Sequence, residues 1–162
     1  MSNTTDTHKA TLTLPTDDQI LITREFDAPR HLVYRAWTTP ELVKRWFGGS
    51  HGEVTSAEID LRVGGAWRYV VSAGGGPESA FHGEYREIVA NERIVSTEVF
   101  EGAPEAESIN TMTLTEQDGR TTMSVLVQHS SQANRDAVIA AGMEIGMNVA
   151  LDSLEQVAQA LA

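Results

Sequence analysis

The C-terminal stretch, residues 143–161, restricts the fold of this chain more than any other part of the sequence. Apolar side chains recur there at steps of three and four, which places them on one side of an α-helix; they are Met143, Met147, Leu151, Leu154, Ala158 and Leu161. The residues that recur on the opposite side are polar, namely Glu144, Asn148, Asp152, Glu155 and Gln159. The pattern predicts one amphipathic helix of about five turns. Its apolar stripe must pack against another layer, and its polar side is expected in solvent.

Upstream of this helix, most of the chain alternates apolar and polar residues, which is the period of β-strands. The alternation predicts a short strand around Leu12, a first main strand over Ile20–Phe26, and about six antiparallel strands between residues 53 and 129. Two segments that begin with proline, 29–38 and 40–47, break the alternation and predict two short helices. A mainly antiparallel sheet with helices on one side is an α+β fold.

Local signals refine the predicted helices. In the first short helix, Val33 and Trp37 are expected on the buried side. Before the C-terminal helix, Ser130 or Ser131 is expected to act as the N-cap. Gly142 is expected to interrupt or kink this helical region, because glycine is a poor residue for a helix interior.

Composition sets limits on domain organisation and partners. The chain has 162 residues, and 12 basic against 23 acidic side chains give it a net charge of −11. We predict one domain over residues 10–162, preceded by a mobile tail of residues 1–9. The negative charge repels polyanions, so we expect neither nucleic acid nor an anionic membrane surface as a partner. Whether the chain forms a homodimer is left open by the sequence.

Other functions are excluded by what the sequence lacks. There is no cysteine, which rules out disulfides, thiolate metal sites and thiol catalysis. The N-terminal residues lack the basic start and apolar run of a secretory signal, and no segment approaches the ~18 apolar residues of a membrane span. We therefore expect a cytoplasmic protein.

Motifs for catalysis, metals and cofactors are incomplete. The segment Gly48–Gly52 reads Gly-Gly-Ser-His-Gly and matches the hydrolase elbow by letter. That elbow needs a strand before the serine and a helix after it, whereas the predicted order here is reversed. The five histidines, His8, His31, His51, His82 and His129, show no metal-ligand spacing. We predict no metal site, no cofactor and no complete catalytic site.

A few polar residues share strand parity with the apolar face of the sheet. They are Tyr85, Asn110 and His129. A buried polar group needs a partner, so these residues are candidates for contacts with a ligand. The alternative is a core residue that is already hydrogen-bonded or one moved outward by a β-bulge. Glu98 shares a face with Ile94 and Phe100, but the pattern does not assign that face.

Several segments together resemble the bacterial relatives of the C-terminal domain of the heat-shock-protein-90 ATPase activator. That group belongs to the START, polyketide-cyclase and birch-pollen-allergen superfamily. The resemblance extends from about Leu12 to Leu161. It is carried by the segments Arg24–Pro29, Ala36–Glu41, Arg45–Gly48, Asp60–Gly65, His82–Ile88 and Gly142–Gly146.

The resemblance implies a helix-grip (START-like) fold. In this fold a curved antiparallel sheet, here of about six to seven strands, wraps around a long C-terminal helix, and two short helices follow the first main strand. It also implies a cavity between sheet and helix, which in the superfamily holds apolar small molecules. Relatives often carry tryptophan where this chain has Met147, and methionine is more flexible, so the shape of any ligand is not carried over.

Three functional hypotheses follow. The leading one is a binding protein for an apolar or aromatic small molecule, with a site lined by Trp46, Trp67, Tyr69, Tyr85, Asn110, Met112, His129, Met143 and Met147. The second is a cyclase-like or hydrolase-like enzyme that uses the same cavity, with His129 as acid or base and Tyr85 as hydrogen-bond donor. The third is a co-chaperone-like interaction module that acts on a heat-shock ATPase, its acidic surface steering it to a basic partner.

Overall fold

The computed structural model describes residues 10–48, 52–74 and 76–162. The predicted tail and the centre of the Gly-Gly-Ser-His-Gly segment lie outside the described residues. The elements follow in the order β1 (Thr11–Thr13), β2 (Gln19–Phe26), α1 (Arg30–Thr38), α2 (Pro40–Val43), β3 (Glu53–Ile59), β4 (Ala66–Ser72), β5 (Glu78–Val89), β6 (Arg93–Phe100), β7 (Ser108–Gln117), β8 (Arg120–His129), α3 (Gln132–Ala140) and α4 (Met143–Ala160).

All the strands form one curved antiparallel sheet in the order β1-β2-β8-β7-β6-β5-β4-β3. The sheet has 8 strands, slightly more than the six to seven expected. One edge is β1, a strand of 3 residues that pairs only with β2 through contacts such as Leu12 opposite Ile22. The alternation predicted this strand around Leu12, so β1 itself was expected and only the total was set too low. The predicted α+β helix-grip architecture is confirmed.

The two short helices lie between β2 and β3. Helix α1 begins after Pro29, which occupies the N-cap position, and Val33 is fully buried as expected. Trp37 is only half-buried, and its ring stacks on that of Trp46 with centroids 4.9 Å apart. Helix α2 has only 4 residues, and the turns after it carry Trp46, whose indole N–H donates to the Ala36 carbonyl at 3.0 Å. This contact fixes the two helices to each other.

The C-terminal region forms two helices rather than one. Gly142 has φ +84°, in the left-handed region that favours glycine, and the axes of α3 and α4 differ by 70°. Ser131 is the N-cap of α3, since its hydroxyl accepts a hydrogen bond from the Asn134 N–H at 3.0 Å. Among the described residues no single helix is long and apolar enough to cross a membrane; the bent α3–α4 pair meets the length and composition criteria only together.

The polar side of α4 corrects one expectation. Glu155 is only 8% exposed, and it binds Arg24 on β2, which is only 1% exposed. Arg24 lies two residues from each of the buried Ile22 and Phe26, so the three side chains share the inner face of β2. A charged side chain in that position requires an acidic partner. The expectation that this side of α4 lies in solvent is therefore wrong at Glu155.

Candidate functional site

Helix α4 packs tightly against the core only in its C-terminal half. Leu151, Leu154 and Ala158 are buried there. Met143 and Met147, on the same stripe, contact the core but stay partly exposed. The apolar side chains of α4 are therefore buried in its C-terminal half and partly exposed to solvent in its N-terminal half.

The partly exposed half of α4 lies toward the end of the sheet where His129 ends β8. Helix α3, which leads into α4, is held at that end because Arg135 donates to the Thr16 carbonyl at 2.9 Å. At the other end, Gln159 of α4 donates to the Asp27 carbonyl at 3.3 Å, just after β2. The first residues of α4 and the C-terminal end of β8 therefore share one end of the molecule.

Polar side chains form a row across the inner face of the sheet at this end. Glu98 on β6 is directly opposite Ser108 on β7, and Ser108 is directly opposite His129 on β8. Residues that pair directly across antiparallel strands point to the same face. Asn110 shares this face, because it lies two residues from the buried Met112. We call Glu98, Ser108, Asn110 and His129 the polar row.

Hydrogen bonds join three members of the polar row. The Asn110 amide donates to Glu98 Oε1 at 2.6 Å, and the Ser108 hydroxyl donates to Asn110 Oδ1 at 3.4 Å. The sequence pattern left the face of Glu98 unassigned, and the pairing of β6 with β7 now places it on the inner face together with Ile94. A carboxyl group is thus added to a site that the sequence had assigned without one.

His129 carries a buried nitrogen without a hydrogen-bond partner. Its Nε2 is shielded from solvent and, within the described part of the chain, bonds no other group. Burial is the main cause that lowers the pKa of His129, the positive charge of Arg135 lowers it further, and Asp18 opposes the shift. The imidazole is therefore neutral at pH 7, and a buried polar atom of this kind is rare unless something outside the chain bonds it.

Glu98 is half-buried on the same face. Burial raises the pKa of its carboxyl group, and the hydrogen bond from Asn110 offsets part of the shift. Its charge also contributes to the raised pKa of Tyr69, so the two side chains lie near each other. Glu98 therefore connects the polar row with the aromatic residues of β4 and β5.

The aromatic residues form a continuous series of ring contacts. Phe47, just after α2, lies 4.8 Å from Tyr69 and 5.7 Å from Phe81 between ring centroids. Tyr69 lies 4.8 Å from Trp67, and Phe81 lies 5.3 Å from Phe100, which is 41% exposed. Tilted and edge-on contacts of this kind stabilise the cluster beyond its buried area. The series extends from the core to an exposed ring at the end of β6.

The predicted lining residues fall into three groups. Trp46, Trp67, Tyr69, Tyr85 and Met112 are buried in the core. Burial raises the pKa of both tyrosines, so they stay neutral hydroxyl groups. Asn110 and His129 belong to the polar row, on the inner face as the alternation predicted, and Met143 and Met147 lie on the partly exposed half of α4.

Sequence reasoning missed Ser108 and left Glu98 unassigned. The signal that identifies them is the register of β6, β7 and β8, which brings residues 98, 108 and 129 into one row.

In the described residues, no group of three or more histidine or acidic side chains is arranged to hold a metal ion. A separate surface pocket of about 360 Å³ lies on the outer side of β4 and β5, next to Arg68 and Glu101.

Fold and site together define a helix-grip protein with a polar row at the partly exposed end of its final helix. The chain belongs to the family described as activator of Hsp90 ATPase homolog 1-like protein, whose model matches residues 27–159. The resemblance read from the sequence is thereby confirmed. No curated protein matches the chain by sequence.

Solved structures of several bacterial proteins share this fold. A Rhodobacter sphaeroides protein is similar with a TM-score of 0.87 and 22% identity, over 94% of this chain and 99% of that one. Protein Ms6760 from Mycobacterium smegmatis is similar with a TM-score of 0.83 and 23% identity, over 94% of this chain and 99% of that one. Protein CV1439 from Chromobacterium violaceum is similar with a TM-score of 0.74 and 28% identity, over 88% of this chain and 98% of that one. These neighbours span nearly the whole chain and support a helix-grip fold throughout.

Proposed function

We propose that this protein binds an apolar small molecule between the sheet and the N-terminal half of α4. The ligand's apolar body would lie against the aromatic residues and Met147, and its polar group would contact the polar row. The observation that carries this proposal is the buried Nε2 of His129, which bonds nothing in the described residues. A ligand that hydrogen-bonds this nitrogen would remove the cost of leaving it unpaired.

Two further features support the proposal. Met143 and Met147 pack against the core but stay partly exposed, so the contact of this half of α4 is less closed than that of its C-terminal half. The surrounding side chains are mostly apolar and aromatic with a few polar groups, which is the usual composition of a small-molecule site. Methionine also adapts its shape to what it contacts.

A pair of variants on α4 tests the location of the site. Binding is followed by titrating the protein with N-phenylnaphthylamine, a neutral apolar dye whose fluorescence rises in a dry environment. The wild type should bind it saturably. Met147→Trp fills the proposed space and should weaken binding by about tenfold or more. Ile145→Trp is the matched control, because Ile145 on the same helix is 72% exposed and points away from the core.

The outcomes are distinct. Saturable binding that is lost in Met147→Trp and kept in Ile145→Trp supports the proposed site. Absence of saturable binding by the wild type contradicts the proposal, and equal loss in both variants places any binding elsewhere. The enzyme and co-chaperone hypotheses stay predictions, which chemical conversion of a bound ligand or recovery of a chaperone would favour instead.

A further inference from the structure

The polar row restricts the chemistry of the ligand's head group. We propose that the site takes an apolar molecule with a protonated amine, a head group that offers hydrogen-bond donors only. This inference rests on the proposed function, since it names the ligand class of the same site.

The polar row presents mainly acceptors. An ionised carboxylate has acceptors only, and Glu98 uses Oε1 for the Asn110 amide. A neutral imidazole can present Nε2 as an acceptor, and that atom of His129 is buried and without a partner in the described residues. A protonated amine has three donors and no acceptor, so it complements the row. A carboxylate ligand has no donor and would leave these acceptors unpaired.

The charge of Glu98 also favours a cation. Its hydrogen-bond partner among the described residues is the neutral amide of Asn110 rather than a positively charged side chain. A partly buried carboxylate without a cation nearby has lost part of its hydration with little compensation. An ammonium group beside Glu98 would supply that compensation through charge-assisted hydrogen bonds. An anionic head group would instead be repelled.

The neighbouring side chains set where the ammonium group would lie. Tyr69 and Trp67 are on the side of Glu98, and the faces of such rings attract cations. On the other side of the row, the positive Arg135 lies near His129, with Asp136 2.8 Å away as its ion-pair partner. The ammonium group is therefore expected between Glu98 and the Nε2 atom of His129, away from Arg135, with the apolar body directed toward α4.

Three probes with the same apolar body test the head group. Naphthylmethylamine, naphthylmethanol and naphthoate differ only in carrying a cation, a neutral hydroxyl or an anion. Each is used to displace N-phenylnaphthylamine from the wild type at neutral pH. We expect the amine to bind about tenfold tighter than the alcohol, and naphthoate to bind weakest. Glu98→Gln should reduce the preference for the amine over the alcohol to about twofold or less.

A second acidic residue supplies the control. Glu84→Gln removes the same charge from the exposed side of β5, and it should keep the wild-type order of affinities. If Glu98→Gln fails to fold, Glu98→Asp keeps the charge but shortens the side chain, and it should still lower the preference for the amine.

The results separate the inference from the proposed function. If the dye itself does not bind, the proposed function fails. If the dye binds but naphthoate or the alcohol displaces it best, the proposed function stands and the amine inference is overturned. A preference for the amine that persists in Glu98→Gln, or falls equally in Glu84→Gln, also overturns it, because the attraction would then come from the net charge of the protein.

Discussion

Arg24 and Glu155 form an ion pair inside the protein, with Arg24 Nη2 2.7 Å from Glu155 Oε1. Glu155 Oε2 also accepts the backbone N–H of Asp27 at 2.8 Å, and Arg24 binds the exposed Asp152 through its other terminal nitrogen. These bonds attach the C-terminal half of α4 to β2. The buried residues Leu151, Leu154 and Ala158 lie on this half of α4 as well, whereas Met143 and Met147 stay partly exposed.

Loss of the buried pair should strongly destabilise the fold. Arg24→Met removes one partner of a buried ion pair, and we expect the free energy of unfolding to fall by about 3–5 kcal/mol. Urea unfolding followed by circular dichroism measures this. Arg62→Met is the control, because Arg62 and Asp60 form an exposed pair whose loss should cost about 1 kcal/mol or less. Similar losses in the two variants would contradict a structural role for the buried pair.

The turn between α3 and α4 depends on the conformation of Gly142. A Cβ at this position would meet no atom within 4 Å, so the cost of Gly142→Ala comes from the backbone alone. We expect Gly142→Ala to lower the free energy of unfolding by about 1–2 kcal/mol, because φ is +84°. Gly142→Asn should lose less, since asparagine tolerates this conformation better. Thermal unfolding measures the change. If Gly142→Ala were as stable as the wild type or more stable, the turn between α3 and α4 would not depend on the left-handed conformation of residue 142.

Burial of His129 should make stability depend on pH. Its pKa in the folded protein is below the usual value of 6.5, so the unfolded chain takes up a proton first as the pH falls. The folded state therefore loses stability as the pH drops from about 6.5 to the folded-state pKa, by about 1.4 kcal/mol for each unit of difference. The groups near this imidazole are Arg135, which lowers its pKa, and Asp18, which raises it.

Urea unfolding of the wild type and His129→Asn from about pH 8 to about pH 5 checks this effect. The difference in free energy of unfolding between the two proteins should shrink as the pH falls. His31→Asn, at an exposed position of α1, is the surface control. A difference that stayed constant across the range would show that the folded and unfolded states bind a proton at His129 equally well.

Features that depend on local pattern could be predicted from the sequence. The spacing of Met143, Leu151 and Leu154 identified α4, and the alternation along β7 and β8 put Asn110 and His129 on the inner face. These signals are local because a helix or strand repeats its burial every few residues. They were enough for the fold class and for half of the polar row.

Features that depend on contacts between distant segments could not be predicted in this way. Glu155 was expected to be solvent-exposed, because its partner Arg24 is 131 residues away in the chain and the local pattern does not show the pair. The face of Glu98 depended on the register of β6 against β7, which no pattern within β6 sets. The unpartnered Nε2 of His129 likewise results from what surrounds it in three dimensions. The sequence therefore placed Asn110 and His129 on the inner face but did not assign the carboxyl group of the polar row.

The side-chain nitrogen signal of His129 reports whether a ligand binds at the polar row. Protein labelled with ¹⁵N is titrated with naphthylmethylamine while long-range proton–nitrogen NMR spectra of the histidine rings are recorded. A bound ligand should shift the Nε2 signal of His129 saturably, with the same dissociation constant as the dye displacement, and Met147→Trp should suppress the shift. An unchanged His129 signal, with shifts confined to the outer pocket beside Arg68 and Glu101, would contradict ligand binding at the polar row.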